Sequence, residues 1–373
     1  MKTLPAKSFF FEKDKNLILK KFKLILDGKS FLSQYKYAEK FEKNFCSYTN
    51  ANYALSCNSG TSALELIFKC INVKNKEVII PSNTFLATAL GIINEGGFIK
   101  FADCNSDMCL SYESVIQNYS LKTKAVVIVH IGGIISKDIF KIRKFCKSKK
   151  IYLIEDAAQA HGSKIKKQFA GTFGDFGAFS FYSTKIITTG EGGMVTFSNK
   201  KYLKKIKSLR EFGKVKKGFY INYHKHIGYN WRFQEVNAIL GLYQLQRTKE
   251  FIRKRELLSK IYINYFSNHP GIEIINPNNS YELKQNFYKF IISLKKYNRV
   301  NLQKKLKKLE HSLSGYVYEY PLHKQPIFKE YNYLNLPNTQ KLCANHICLP
   351  MYYELSEKKA TDLCKKILLI ISK

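Results

Sequence analysis

A lysine near the middle of the chain stands in an unusual local sequence. Lys185 lies between the aromatic, hydroxyl-rich run F-S-F-Y-S-T (179–184) and the glycine-rich turn G-E-G-G (190–193). Partial burial disfavours the charged form of a lysine, so its amine can act as a nucleophile and form a Schiff base. Glycines tolerate positive φ and a close approach of the backbone to a ligand. The pattern favours a Schiff-base lysine, with an ordinary surface lysine as the alternative.

A carboxylate follows an apolar segment upstream of this lysine. Asp156 ends the run I-Y-L-I-E-D (151–156), and small residues and Gln159 come after it. Ligands of open α/β sheets bind outside the carboxyl ends of the strands, where Asp156 is expected. Such a carboxylate can pair with a protonated ring nitrogen, and the alternative is that it caps the next turn. We expect His161 to pack rather than to react.

A third segment, S-C-N-S-G-T-S-A-L-E-L (56–66), reads as a strand, a short turn and the start of a helix. The first N–H groups of a helix are unpaired and lie at its positive dipole end, so Gly60, Thr61 and Ser62 could seat a phosphate. Ordinary N-capping by a serine or threonine is the competing interpretation. Ser180 and Ser183 could also bond an anionic ligand. Together, a phosphate seat, a carboxylate and a lysine match the needs of pyridoxal 5′-phosphate (PLP).

The elements that must position these residues alternate between strands and helices. The apolar runs 77–80, 125–129 and 151–156 predict buried parallel strands, and segments 61–70 and 138–147 predict helices between them. A long helix over about 233–266 is expected to lead into a second region with a strand at 287–294 and a helix at 300–310. We therefore predict an α/β fold. Its large domain (1–250) has a mostly parallel central sheet between helices, and its smaller α+β domain spans 251–373.

Composition limits the class of protein. Of the 373 residues, 62 are Lys or Arg and 28 are Asp or Glu, which gives a formal net charge of +34. That charge would suit a nucleic-acid binder or an enzyme of a phosphate-bearing substrate, but the lysines are spread along the chain, as on solvated faces. The nine cysteines lack C-x-x-C pairs and zinc-ligand spacing, so we predict reduced, mostly buried thiols and no metal site. With no signal-peptide pattern and no apolar run near 20 residues, we expect a cytoplasmic protein without membrane insertion.

Several ordered motifs resemble one family of enzymes. They are S-G-T-S-A-L (59–64), P-S-N-T-F-L-A-T (81–88), E-D-A-A-Q-A-H-G (155–162), G-D-F-G-A-F-S-F (174–181), T-G-E-G-G (189–193), G-Y-N-W-R (228–232) and Y-P-L-H (320–323). As a set, they resemble the DegT/DnrJ/EryC1/StrS family of PLP-dependent nucleotide-sugar aminotransferases, which have the aspartate aminotransferase fold (fold type I). The match runs from about residue 28 into the C-terminal region.

The resemblance implies a role for each matching residue. Lys185 would carry the cofactor as a Schiff base and shuttle the proton, while Asp156 would pair with the pyridine nitrogen and Gln159 would contact the ring's 3-oxygen. The remaining implied cofactor contacts are Gly60, Thr61 and Ser180 to the phosphate, Phe85 stacked on the ring, and Asn230 donated to the phosphate by the neighbouring subunit of a homodimer. Arg232 and His323 are candidates for substrate contact or structural support.

The implied reaction moves an amino group from L-glutamate to a nucleotide-diphosphate-linked keto-sugar, for use in a surface polysaccharide or glycan. The motif I-T-T-G-E-G-G resembles members that aminate C4, which favours a 4-keto-6-deoxy-hexose. Phe212 departs from the pattern, since R-E-F-G (210–213) stands where the family usually has R-x-H-G. Two alternatives stay open: a dehydratase of the same family that retains lysine, and a regulatory protein that binds nucleic acid through its charge.

Overall fold

A seven-stranded sheet crosses the N-terminal two thirds of the chain. The computed structural model describes residues 3–220, 222–275 and 282–372. In this sheet the strands are β1 (Tyr53–Cys57), β2 (Glu77–Pro81), β3 (Phe98–Ala102), β4 (Thr123–Val129), β5 (Tyr152–Asp156), β8 (Phe176–Ser180) and β9 (Gly193–Phe197), in the spatial order β1-β9-β8-β5-β4-β2-β3. Two short strands, β6 (Lys164–Ile165) and β7 (Gln168–Phe169), lie outside it.

The strands of this sheet run parallel except for one. β9 is antiparallel to both of its neighbours, β1 and β8, and the other pairings are parallel. Since β9 alone is reversed, the carboxyl ends of the remaining six strands meet at one edge. This arrangement confirms the predicted α/β fold with a mostly parallel central sheet.

Helices cover both faces of the large sheet. They are α1 (Glu12–Leu26), α2 (Lys36–Thr49), α3 (Gly60–Ile71), α4 (Leu86–Asn94), α5 (Tyr112–Asn118), α6 (Ile139–Lys149), α7 (Leu203–Arg210) and α8 (Glu235–Gln246). The side chains of β4 alternate between two cores, with Val127 in the core that contains α3 and Ile128 in the core that contains α2. Burial on both faces explains why these strands are continuous apolar runs.

The C-terminal part has its own antiparallel sheet, β10 (Ile272–Ile274), β12 (Phe290–Leu294) and β13 (His346–Leu349), in that order. The helices α9 (Thr248–Phe266), α10 (Arg299–Lys308), α11 (Pro337–Asn345) and α12 (Glu357–Ile371) belong to this part. A separate core joins its sheet to α9, α10 and α12. β11 (Leu283–Lys284) instead pairs with β6, next to the large sheet.

The helix predicted over 233–266 is two helices. α8 ends at Gln246 and α9 begins at Thr248, with Arg247 between them at φ −93° and ψ 0°. At this break, Arg247 forms hydrogen bonds of 2.7 Å from its Nε and Nη2 to the carboxylate of Asp14. The predicted domain boundary at 250/251 falls inside α9, and the division there remains a prediction.

The first described residues pack on the C-terminal part. Nζ of Lys7 lies 2.5 Å from Oε2 of Glu354, and the ring of Phe9 stacks on Tyr353 with centroids 4.6 Å apart.

All nine cysteines are free, and all but Cys46 are buried, which confirms the thiol prediction. Within 3–220, 222–275 and 282–372, no helix is long and apolar enough to cross a membrane.

Candidate active site

The predicted cofactor residues gather at the carboxyl edge of the large sheet. Asp156 is the last residue of β5 and Ser180 the last residue of β8, two adjacent parallel strands. Gly60 begins α3, just beyond the carboxyl end of β1, and Lys185 lies in the turn that follows β8. Because ligands of α/β sheets bind at this edge, the topology itself places these residues around one site.

The start of α3 and the end of β8 are in close contact. A Cβ on Gly60 would lie 2.7 Å from Cβ of Ser180, so this approach requires glycine. Ser59 is the N-cap of α3, and its Oγ accepts a hydrogen bond from the Ser62 N–H at 3.0 Å. Ser59 therefore caps α3, as the competing interpretation expected. The N-terminus of α3 still lies beside the Ser180 hydroxyl. Backbone donors and a hydroxyl in this arrangement fit a phosphate group.

Gly193, the first residue of β9, completes this contact. A Cβ at position 193 would lie 2.0 Å from the carbonyl oxygen of Ser59 and 2.9 Å from the amide nitrogen of Gly60. The last glycine of G-E-G-G thus allows β9 to lie directly against the start of α3. We call Gly60, Thr61 and Ser180 the phosphate cradle.

Asp156 is a buried carboxylate with neutral hydrogen-bond donors. Its Oδ2 accepts from Oγ1 of Thr88 at 2.9 Å, and its Oδ1 accepts from the Ala158 N–H at 3.1 Å. Burial raises its pKa, and these hydrogen bonds and the charge of Lys185 oppose that rise. The bond to Ala158 is the predicted turn cap. The other carboxylate oxygen binds Thr88, which belongs to the candidate site's motif P-S-N-T-F-L-A-T. Asp156 is buried and forms no ion pair with the described residues, and such a carboxylate fits a cationic ring nitrogen.

Gln159 is held from two sides. Its Oε1 accepts from the N–H of Gly132 at 2.7 Å, and its Nε2 donates to the hydroxyl of Tyr318 at 2.7 Å. This fixes the amide, whose second N–H could donate to a ring oxygen. Burial raises the pKa of Tyr318, and the nearby Asp156 carboxylate adds to the effect, so the phenol stays neutral.

Lys185 is half-buried and lies close to Asp156 and His161. Its charge lowers the pKa of Asp156, and it adds to the burial that lowers the pKa of His161 to about 3. The His161 ring packs against Phe179 and Phe181, with centroids 5.4 and 5.5 Å away, as predicted. Nζ of Lys185 lies 5.0 Å from the centroid of the Tyr288 ring. These contacts place the lysine among the candidate site residues, and its catalytic role remains a prediction.

Phe85 precedes the first residue of α4 and is 62% exposed. Its side chain lines a cavity of about 310 Å³ together with Tyr318 and Tyr320. An exposed ring beside Gln159 and its partner Tyr318 is free to stack on a planar ligand. A larger cavity of about 440 Å³, lined by Arg143, Lys147 and Lys201 among others, contains none of the predicted site residues.

His323 supports the site from behind. It is completely buried, its Nδ1 lies 2.6 Å from Oγ of Ser82, and its backbone N–H donates to the same oxygen at 3.1 Å. Burial, aided by the charge of Lys324, lowers its pKa to about 4, so the ring is neutral near pH 7. Ser82 follows β2 and leads to Phe85, which makes structural support the role that the contacts of His323 favour.

Asn230 and Arg232 lie apart from this group. Asn230 is exposed and forms an isolated antiparallel bridge with Glu211. The Arg232 guanidinium lies 5.3 Å from the ring centroid of Phe212, the residue that departs from the resemblance. No hydrogen bond or ion pair of the described residues joins Asn230 or Arg232 to Lys185 or Asp156. The role of Asn230 in a neighbouring subunit's site and that of Arg232 remain predictions.

Sequence reasoning missed three residues that contact the predicted set: Thr88, Tyr288 and Tyr318. Thr88 is the last residue of the P-S-N-T-F-L-A-T motif, and its position in a recognised motif was a usable signal. Tyr288 and Tyr318 lie more than 100 residues beyond their partners, Lys185 and Gln159, in the C-terminal part. No local pattern marks them.

Known proteins resemble this chain over nearly its whole length. The model of the DegT/DnrJ/EryC1/StrS aminotransferase family matches residues 12–368. The chain is 30% identical over 350 residues to a GDP-perosamine synthase of Escherichia coli O157:H7, covering 92% of each chain. It is 29% identical over 343 residues to a UDP-4-amino-4,6-dideoxy-N-acetyl-beta-L-altrosamine transaminase of Campylobacter jejuni, covering 91% of this chain and 90% of the relative. The Helicobacter pylori aminotransferase PseC has the same fold, with a TM-score of 0.92 over 100% of both chains at 24% identity.

Proposed function

Since the chain belongs to the DegT/DnrJ/EryC1/StrS aminotransferase family and is thus a PLP-dependent aminotransferase, we propose that it transfers an amino group from L-glutamate to a nucleotide-linked keto-sugar. The observation that carries the proposal is the meeting of Lys185, Asp156 and the phosphate cradle at one sheet edge. The names of the Escherichia coli and Campylobacter jejuni relatives both concern nucleotide-linked amino-sugars, and these relatives support the proposed substrate class.

The residues present fit PLP. The N-terminus of α3 and the Ser180 hydroxyl would hold its phosphate, Asp156 its ring nitrogen, Gln159 its ring oxygen and Phe85 one ring face. When bound, PLP supplies an electron sink next to the carbon that gains or loses the amino group. Asp156 keeps the proton on the ring nitrogen because a buried carboxylate is stabilised by that positive charge. Thr88 and the Ala158 N–H fix the direction of the carboxylate.

Lys185 has two tasks in this proposal. Its Nζ would hold the cofactor, and its amine, when free, would accept and return a proton as general base and acid. The turn that carries Lys185 is fixed by its N–H, which donates to the carbonyl of Tyr182 at 2.9 Å. The same turn connects β8 to the G-E-G-G segment, so the lysine and the phosphate cradle share one rigid support.

Finer features of the substrate belong to the same proposal. We propose a 4-keto-6-deoxy-hexose aminated at C4, supported by the motif I-T-T-G-E-G-G and by the 4-amino sugar in the name of the Campylobacter jejuni relative. Excess positive charge would attract the diphosphate of such a substrate. We also propose a homodimer in the cytoplasm, in which the exposed Asn230 of one subunit contacts the phosphate bound by the other.

The test is an incubation of the purified protein with PLP, ¹⁵N-glutamate and a panel of nucleotide-linked 3-keto and 4-keto sugars, followed by mass spectrometry and NMR. We expect ¹⁵N at C4 of one 4-keto sugar. Label at C3 would overturn the regiochemistry but keep the activity. Deoxygenated sugar with released ammonia and no label would favour a dehydratase, and a protein that binds no PLP would contradict the site itself.

A further inference from the structure

Tyr288 brings an aromatic ring against Lys185. Nζ of Lys185 lies 5.0 Å from the centroid of this ring, within the range of a cation–π interaction. The ring is 9% exposed, so water screens the contact only weakly. The Tyr288 hydroxyl lies 3.2 Å from Oγ1 of Thr184, the residue directly before Lys185. The ring and the hydroxyl of Tyr288 therefore both contact the segment that carries the lysine.

The backbone of Tyr288 is anchored to the sheet edge that carries Asp156. Its N–H donates to Oδ1 of Asn286 at 2.8 Å, and Nδ2 of Asn286 donates to the carbonyls of Gln159 and His161 at 2.9 and 3.0 Å. The buried Arg255 donates from Nη1 to the Tyr288 carbonyl at 3.2 Å. These bonds hold the ring in place independently of Lys185.

The charge state of Tyr288 reflects its neighbours. Burial alone would raise the pKa of its phenol, but the ammonium groups of Lys185 and Lys289, the hydrogen bond with Thr184 and the charge of Arg255 together lower that pKa. Nζ of Lys289 lies 5.5 Å from the same ring centroid, and it donates to Oγ of Ser314 at 2.7 Å. The lowered pKa agrees with the geometry: the ring lies in a field of positive charge, of which Lys185 is a part.

We propose that Tyr288 is a positioning residue whose ring holds the free side chain of Lys185 as an ammonium ion between reaction steps. The negative face of the ring stabilises the ammonium relative to the neutral amine, so the proton that Lys185 has accepted stays on Nζ until it is returned. This role rests on the proposed function, in which Lys185 leaves and rejoins the cofactor. The other titratable or charged groups near Lys185 are Asp156 and His161, and Lys7, Arg255 and Tyr353 line the same cavity as the lysine, while Lys289 faces the Tyr288 ring.

The contact can be measured without turnover. The full-length chain is freed of PLP with hydroxylamine, which releases the cofactor from Lys185 as an oxime, and is then dialysed. It is acetylated with acetic anhydride at fixed pH, and the rate at Lys185 is read by peptide mass spectrometry. Only the neutral amine reacts, so this rate rises when the ammonium is less favoured. Tyr288→Phe keeps the ring face, and a trifluorinated phenylalanine at position 288 keeps the shape but removes most of the negative charge from that face.

We expect Tyr288→Phe to acetylate within about twofold of the natural chain, and the trifluorinated variant about fivefold faster than Tyr288→Phe. Lys305, whose Nζ lies 5.6 Å from the ring centroid of Tyr297, is the matched reference and should keep its rate. Equal rates in the two position-288 variants would overturn the inference. If both variants were acetylated faster than the natural chain by the same factor, the effect would belong to the Tyr288 hydroxyl and not to the ring face. If the fluorinated variant is acetylated faster than Tyr288→Phe, as expected, but the natural chain transfers no amino group to a sugar, the proposed function alone is refuted.

Discussion

Oγ1 of Thr88 donates a 2.9 Å hydrogen bond to Oδ2 of Asp156 and thereby joins α4 to the end of β5. Both groups are buried, and Oγ1 of Thr84 lies 2.9 Å from Oγ1 of Thr88 in turn. A short chain of hydroxyls thus runs from the segment that carries Phe85 to the carboxylate. Two of the proposed cofactor contacts, ring stacking and ring-nitrogen pairing, depend on the same few hydrogen bonds.

Replacing Thr88 by valine keeps the side-chain shape but removes the donor. We expect the dissociation constant for PLP to rise about tenfold, because a hydrogen bond to a charged group contributes roughly 1.5–3 kcal/mol. The bond is one of the effects that lower the pKa of Asp156, so its loss raises that pKa. As the pH falls, the carboxylate of the variant is therefore protonated earlier, and PLP binding should be lost at a higher pH than in the natural chain. Fluorescence titration with PLP at several pH values measures both effects.

Thr49→Val is the control for this substitution, since Thr49 is equally buried and its Oγ1 donates to the Phe45 carbonyl far from the site. It should lower stability without changing PLP affinity. An unchanged affinity and pH dependence in Thr88→Val would show that Asp156 does not need this donor.

Replacing Gly60 by alanine should weaken both folding and PLP binding. The new Cβ would lie 2.7 Å from Cβ of Ser180, and overpacking of this kind costs about 1–3 kcal/mol. The double variant Gly60→Ala/Ser180→Gly removes the clash, so its thermal midpoint should recover relative to the single variant. PLP affinity should stay low in the double variant, because the Ser180 hydroxyl is absent. Recovery of affinity together with stability would remove Ser180 from the phosphate cradle.

Lys185→Ala should abolish amino transfer, since no other residue is proposed to hold the cofactor or to move the proton. Borohydride treatment of the natural chain with PLP, followed by digestion and mass spectrometry, should place the reduced adduct on Lys185. The neighbouring Lys289→Ala provides a control in which the adduct should remain. Adduct at another lysine in the natural chain would contradict the assignment.

Mixing two inactive variants tests whether Asn230 acts across subunits. If each site combines Lys185 of one subunit with Asn230 of the other, a mixed dimer of Lys185→Ala and Asn230→Asp contains one intact site. Random exchange of equal amounts should then restore about a quarter of the natural activity. If both residues served the same subunit's site, the mixture would be no more active than its two components.

Three buried histidines should make the fold less stable as the pH falls. Burial lowers the pKa of His323 and of His346 to about 4, and that of His161 to about 3. An unfolded histidine takes up a proton near pH 6.5, so between about pH 6.5 and 4 the unfolded chain binds more protons, and stability falls by up to ~1.4 kcal/mol per pH unit for each residue. Urea unfolding midpoints across this range measure the slope. His323→Gln should reduce it, and an identical slope would contradict the burial argument.

The sequence predicts those parts of the fold that local patterns determine. The apolar run 125–129 lies within β4 (Thr123–Val129), and the helix at 61–70 lies within α3, because burial on both strand faces and the N-cap at Ser59 leave clear traces. The break between α8 and α9 left no such trace in the sequence: it lies at Arg247, whose partner Asp14 is more than 230 residues away. Tyr288 was missed for the same physical reason: the loops that bring it to Lys185 are set by tertiary packing.

The reversed strand β9 also determines when the phosphate cradle can exist. β1 lies at the edge of the sheet, and its only strand partner among the described residues is β9, more than 130 residues later in the chain. During synthesis, β1 and the start of α3 emerge early and must wait, unpaired, until residues 193–197 have been made. Such a late, long-range closure is slow to form and leaves an apolar edge available to wrong partners in the meantime. Its completion through Gly193 creates the seat for the phosphate, so the nascent chain gains its cofactor site only when the sheet is whole.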